Sequence, residues 1–228
     1  MSKPTRIALV GATGLIGMSL IRLAVHRPDI RIVAVSRREV PLPPGARMEV
    51  LVADPAGWGD AIAAANADVL VCALGTTWKK AGKDEAAFRA VDQELVLACG
   101  RAAKAAGIRQ MIAVSSVGAD PLAKNFYLRV KGETEQALGK LGLSRLDVLR
   151  PGLLRGPREE LRPAEKLGMI ASPLLDLLLH GKYRKYRSIR AQTVAEAIVG
   201  LTREAMAGRF VFEHDAILRA ARKGQSIL

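Results

Sequence analysis

Tyr127 and Lys131 stand four residues apart in a stretch with helical spacing, so both side chains project from one side of a helix. The pairing has a chemical use. An ammonium near a phenol favours the phenolate and brings proton exchange on the phenol oxygen toward the working range of pH. Such a phenol can exchange a proton with a carbonyl or alcohol oxygen while a hydride moves to or from the same substrate. Ser115 and Ser116 end the apolar run Gln110–Ser115 and lie upstream of that helix. A serine hydroxyl placed there would hold the same substrate oxygen and stabilise charge developing on it. Ser116 is nearer the tip of the run and is the first choice for this role, with Ser115 the second.

A second constellation lies near the start of the chain. Gly11-Ala12-Thr13-Gly14-Leu15-Ile16-Gly17 joins the apolar run at Arg6–Val10 to a helical pattern at Leu15–His26, which Pro28 ends. Each glycine has a task in such a bend. Gly11 allows the tight turn, Gly14 lets the backbone approach a diphosphate, and Gly17 permits close packing of helix on strand. The anion then rests on the helix N-terminus, where free N–H groups and the dipole favour negative charge. The spacing is G-x-x-G-x-x-G, and its place in a first strand-to-helix turn points to a dinucleotide.

The second β-branched run, Ile30–Ser36, is followed by Arg37 and Arg38. An acidic residue at that point serves the ribose hydroxyls of NAD, whereas two guanidiniums suit a 2′-phosphate and select NADP(H). Asp54, just after the third run, is placed to accept from the adenine amino group. Leu74-Gly75, after the fourth, lets backbone pass close to the cofactor.

These residues need a scaffold, and the pattern supplies one. Apolar runs at Arg6–Val10, Ile30–Ser36, Met48–Val52, Asp68–Leu74, Gln110–Ser115 and Arg145–Leu149 alternate with helical stretches at Leu15–His26, Trp58–Ala65, Ala86–Ala106 and Asn125–Leu141. The runs are continuously apolar, as in a parallel sheet covered on both faces. They predict an α/β, Rossmann-like doubly wound parallel sheet flanked by helices. Beyond residue 150, a helix near Pro163–His180, a strand at Tyr183–Arg187, a helix at Thr193–Ala207, a short strand at Phe210–Phe212 and a tail are expected to form a small C-terminal lobe. All 228 residues are expected to make one dinucleotide-binding domain.

Composition narrows the classes. Half the chain is hydrophobic, which argues against intrinsic disorder. Cys72 and Cys99 are too few for a disulfide framework or a four-thiolate zinc site, and His26, His180 and His214 share no ligand spacing, so no metal is expected. No apolar run approaches a membrane span, and Met1–Arg6 leads straight into a strand without a signal-peptide pattern, so a soluble cytoplasmic protein is expected. The net charge of +13 invites an anionic partner, but the basic residues of Arg145–Arg190 alternate with Pro, Gly and Leu and form no nucleic-acid stripe. Neither nucleic acid nor membrane is expected as a partner.

Together with Arg150-Pro151-Gly152, these features resemble the short-chain dehydrogenase/reductase superfamily in its extended or atypical branch. Ser115-Ser116-Val117-Gly118-Ala119-Asp120, then Asn125-Phe126-Tyr127-Leu128 and Val130-Lys131-Gly132-Glu133, are similar to the Tat-interacting oxidoreductase-like group of NAD(P)H-binding proteins. The similarity runs from about Arg6 to Gly208. It implies cofactor contacts at Thr13, Gly14, Leu15, Ile16, Arg37, Arg38, Leu74, Gly75, Tyr127 and Lys131, and further ones at Leu154 and Arg162. The superfamily often places an Asn on the long helix before the serine strand, and Ala86–Ala106 contains none. The expected function is NADP(H)-dependent hydride transfer with a small carbonyl or alcohol substrate, by a monomer or homodimer. Tyr127 is then the acid/base, Lys131 its tuner and ribose anchor, and Ser116 the carbonyl clamp. The alternative is an NADPH-binding regulatory or redox-sensing module with little or no catalysis. Thr76–Asp84, Val117–Phe126 and the lobe after Pro151 are expected to build the substrate pocket, with Trp78, Phe126 and Leu153 as lining.

Overall fold

A computed structural model describes residues 3–156, 176 and 179–225. Its strands are β1 (Thr5–Val10), β2 (Ile30–Ser36), β3 (Glu49–Val52), β4 (Val69–Cys72), β5 (Gln110–Val114), β6 (Arg145–Leu149), β7 (Leu154–Arg155), β8 (Ile189–Arg190) and β9 (Gly208–Phe212). Its α-helices are α1 (Leu15–Ala24), α2 (Trp58–Ala64), α3 (Glu85–Arg89), α4 (Val96–Ala105), α5 (Phe126–Gly139), α6 (Ala191–Leu201) and α7 (His214–Gln225). Seven strands form one all-parallel sheet in the order β3-β2-β1-β4-β5-β6-β9, and β7 pairs with β8 in a separate small ribbon.

Strand alternation divides the core. On β1, Ile7 and Leu9 face one layer with Leu20, Ile21, Ile198 and Ile217 from α1, α6 and α7. Ala8 and Val10 face the other, with Trp58, Ile62, Val96 and Leu138 from α2, α4 and α5. Both faces are therefore covered, which explains the unbroken apolar runs. The sheet order reverses direction between β1 and β4. In such folds the crevice outside the carboxyl ends of the strands at that switch point is where ligands bind.

The expected Rossmann-like sheet is present, with differences in detail. The short strand expected at Phe210–Phe212 begins at Gly208 and adds a seventh strand beside β6. The tail is the helix α7, which carries Asp215 in its first turn and whose end is tied back by Arg27 Nη1 donating to the Gly224 carbonyl at 2.6 Å. The strand expected at Tyr183–Arg187 is instead a 3₁₀ helix, Gly181–Tyr186. Tyr183 and Tyr186 stand three apart and eclipse on such a helix, and Lys182 and Lys185 lie over their rings at 5.3 and 5.5 Å. The helix expected at Ala86–Ala106 is interrupted by a π turn at Ala90–Leu95. The expected helix at Pro163–His180 falls almost wholly outside the described residues. Among those described, no helix is long and apolar enough to cross a membrane.

Candidate active site

The glycine bend sits at the carboxyl end of β1. Gly11 has φ +88°, and a Cβ there would lie 2.5 Å from the Ala73 carbonyl oxygen; one on Gly17 would lie 2.3 Å from the Gly11 carbonyl oxygen. Only glycine lets β1, α1 and the end of β4 meet this closely. Gly14 is the N-cap of α1, in extended conformation, with no side-chain cap and no acidic residue in the first turn. Thr13 and Gly14 are exposed, while Ile16 is buried and Leu15 half-buried. This is a helix N-terminus left free for an anion, in a cradle that larger side chains would fill. Leu15 packs close to Gly156, just past β7, so the Leu154–Gly156 segment borders the same cradle. Arg162 lies outside the described residues.

The other expected cofactor residues line the same edge. Arg37 and Arg38 are exposed immediately after β2, and Asp54 is exposed at the head of a 3₁₀ turn after β3. Leu74 and Gly75 follow β4, adjacent to Gly11. A cleft of about 1030 Å³ bordered by His26, Arg27, Arg31 and Arg47 opens at the amino ends of β2 and β3, on the opposite side of the sheet from these groups.

Ser115 and Ser116 follow β5, and α5, which carries Tyr127 and Lys131, reaches the end of that strand through Glu135, which accepts from Ser115. The Asn125 side chain caps α5 by accepting from the Leu128 N–H at 3.1 Å. The Asp120 N–H donates to the Leu128 carbonyl at 3.2 Å, which joins the loop after β5 to the first turn of α5. Gly132 permits the contact, since a Cβ there would lie 2.2 Å from the Asp120 carbonyl carbon. The Tyr127 ring meets Phe88 edge-on, with centroids 5.8 Å apart, and Trp78, Phe88 and Phe126 form one aromatic cluster beside it. Trp78 and Phe126 are in edge-on ring contact with centroids 5.3 Å apart, while Leu153 is an exposed side chain on the turn before β7.

The two serines differ. Ser115 Oγ donates to Glu135 Oε1 at 2.5 Å, and Arg150 holds the same buried carboxylate through Nε at 2.9 Å and Nη2 at 2.6 Å. Its hydroxyl proton is committed. Ser116 Oγ makes only a 3.4 Å contact with the neighbouring Val117 carbonyl, which leaves it available to a substrate oxygen. Glu135 extends the four-residue series Tyr127, Lys131, Glu135 along one face of α5, a signal readable in the sequence but missed.

Lys131 has a partner that sequence reasoning did not supply. Its ammonium is buried and lies 2.7 Å from Asp92 Oδ1 in the π turn. Burial works against its charge, but Asp92, and after it Tyr127, hold the ammonium above the ordinary lysine range. Asp92 is the second missed residue. It falls four residues after buried Phe88 and four before buried Val96, so the carboxylate interrupts an apolar stripe.

A free helix N-terminus in a glycine bend at the switch point of a parallel sheet defines a Rossmann-type dinucleotide-binding protein. The chain belongs to the NAD(P)H-binding family, whose model matches residues 11–205. It is similar to the protein named fmp52, mitochondrial, of Emericella nidulans, at 35% identity over 75% of this chain and 79% of that protein. The protein named FMP52, mitochondrial, of Eremothecium gossypii is 37% identical over 66% of this chain and 67% of that protein. In fold, the chain is similar to a UDP-N-acetylglucosamine 4-epimerase from Bacillus cereus, with TM-score 0.68, 18% identity and coverage of 96% and 82% of the two chains. The Bordetella bronchiseptica enzyme WbmH, solved in complex with NAD+, gives TM-score 0.67 and 16% identity over 92% and 75%. These likenesses show a shared fold.

The relatives correct one expectation. They are mitochondrial by name, so the cytoplasmic placement does not stand. Composition and the absence of a signal-peptide pattern carry no organelle address, because such addresses are read by receptors and do not show in bulk composition.

Proposed function

We propose that the chain is an NADP(H)-dependent oxidoreductase acting on a small carbonyl or alcohol. The observation that carries this reading is that Asp92 links the loop after β4, which borders the free α1 N-terminus, to Lys131 of the helix that carries Tyr127, while the same helix meets the serine end of β5 through Glu135. Arg37 and Arg38, exposed after β2, support NADP(H) over NAD(H) because a 2′-phosphate takes bidentate guanidinium contacts. A bound nicotinamide supplies or accepts the hydride. The protein's part is positioning and proton transfer. Ser116 Oγ donates to the substrate oxygen, and Tyr127 gives or takes the proton on that oxygen. Lys131 holds positive charge one helical turn from Tyr127. The aromatic cluster of Trp78, Phe88 and Phe126 excludes water from one side of the Tyr127 ring and favours an apolar substituent on the substrate.

The test is turnover with NADPH across a panel of aldehydes and ketones, comparing the native chain with Tyr127→Phe and Ser116→Ala. Turnover lost in Tyr127→Phe with NADPH binding retained supports the reading. Tight binding without native turnover supports instead a cofactor-sensing module, a reading favoured by the charge of Lys131 being balanced by Asp92.

A further inference from the structure

Asp92 is fully buried, and its two carboxylate oxygens serve different elements. Oδ1 faces the Lys131 ammonium at 2.7 Å, and no aligned hydrogen-bond donor competes for it. Oδ2 accepts the Thr76 N–H at 2.7 Å. Thr76 directly follows Leu74-Gly75, the loop at the end of β4 that borders the glycine bend. The π turn aims this side chain, since its extra residue rotates Asp92 relative to an unbroken α-helix. The same turn is fastened to α5 by Thr134 Oγ1, which lies 3.2 Å from the Asp92 carbonyl and 2.7 Å from that of Val130. One buried carboxylate therefore joins the β4 loop, the π turn and the helix that carries Tyr127.

A buried ion pair is poor stabilisation by itself, because desolvation of both charges offsets their attraction. What distinguishes this one is where its ends attach. The geometry points to Asp92 as a positioning residue that clamps the Leu74–Thr76 loop and the Lys131 ammonium together, so that seating a dinucleotide on the loop and orienting Lys131 are one event. This rests on the dinucleotide reading given above. The titratable groups facing the pair are Cys72 at the end of β4, which is itself in contact with Cys99 of α4, and Tyr127 one turn earlier on α5. With Asp92 in place the pair is neutral overall; without it Lys131 is a buried cation facing a thiol and a phenol.

Asp92→Asn preserves volume and keeps an oxygen for the Thr76 N–H while removing the charge opposite Lys131. The full chain, labelled with ¹³Cε-lysine, reports the titration of Lys131 directly, with the resonance assigned by its loss in Lys131→Met. In the native chain Lys131 titrates above the ordinary lysine range. In Asp92→Asn the main opposition to burial is gone, leaving the smaller effects of Tyr127 and Cys72, and the titration falls below that of the native chain. NADPH affinity, measured by calorimetry, falls about tenfold, the scale of an ordinary coupling between two sites. The double variant Asp92→Asn/Lys131→Met, which has no buried charge, regains the melting temperature lost in Asp92→Asn but not the affinity. A merely structural pair would leave NADPH affinity unchanged in Asp92→Asn at temperatures where that variant stays folded. The proposal is overturned if Asp92→Asn leaves Lys131 and NADPH affinity unchanged, or if the double variant binds NADPH like the native chain. A folded native chain that takes up neither NADPH nor NADH overturns the dinucleotide reading and this proposal together; native binding with an unmoved Asp92→Asn overturns this proposal alone.

Discussion

Gly17→Ala probes the cradle with one methyl group. The added Cβ would lie 2.3 Å from the Gly11 carbonyl oxygen, 2.8 Å from Ala12 Cα and 2.9 Å from the Ala12 carbonyl oxygen. All three are backbone atoms, so no side chain can rotate away. Moving the first contact from 2.3 Å to beyond 3.0 Å displaces the start of α1 from β1 by about 0.7 Å. Overpacking of this kind costs about 2 kcal/mol, or about 6 °C in Tm for a chain of this length. The larger effect is on the ligand. The free N–H groups of α1 retreat from the diphosphate, and misplacement near 1 Å costs up to about a hundredfold. NADPH affinity should therefore fall roughly ten- to a hundredfold in a protein that still folds. Calorimetric titration with NADPH, beside thermal melting followed by circular dichroism, measures both. Gly59→Ala is the control. Gly59 lies in the first turn of α2, nothing comes within 4 Å of its added Cβ, and the exchange should stabilise by up to about 0.5 kcal/mol with binding unchanged. Gly17→Ala protein that binds NADPH within a factor of two of native would refute the placement of the diphosphate on α1.

Arg37→Ala/Arg38→Ala should weaken NADPH by about tenfold or more and leave NADH little changed, read by parallel titrations with the two nucleotides. Equal losses for both would remove the 2′-phosphate assignment. Glu135→Gln leaves Arg150 facing a neutral amide where a carboxylate accepted its Nε and Nη2, and should cost about 3 kcal/mol in chemical denaturation; a cost near zero would mean that the pair is not stabilising α5 against β6. At the far end of the sheet, Arg27, and next to it Arg203, hold the Asp29 carboxyl down to about 2 from the usual 3.8. The folded value is depressed, so this contribution is fully present above the ordinary value and is lost as pH falls toward 2. Asp29→Asn should flatten the stability curve across that window, as measured by urea denaturation at each pH.

The parts of the site readable in the sequence are those whose geometry is local. The glycine bend announces itself because three residues within seven set the turn, the approach and the packing. Tyr127 and Lys131 are readable because a helix fixes their common face. The division of labour between Ser115 and Ser116 is not local. It depends on Glu135, twenty residues on, taking the Ser115 proton, and on Arg150 holding Glu135 in place. The 3₁₀ helix at Gly181–Tyr186 was equally hidden, since a run of Lys, Tyr and Arg suits a strand until the three-residue spacing of its tyrosines is weighed.

Asp92 shows where reading one element at a time fails. An acidic residue on an otherwise apolar stripe of a long helix looks like a boundary or a defect. The carboxylate gains its sense only with its partners, an ammonium 39 residues later and a backbone N–H 16 residues earlier. An Asn in its place could accept from Thr76 but could not neutralise Lys131. An Asp92→Asn exchange therefore changes the charge beside Tyr127 by a whole unit while keeping the volume of the side chain.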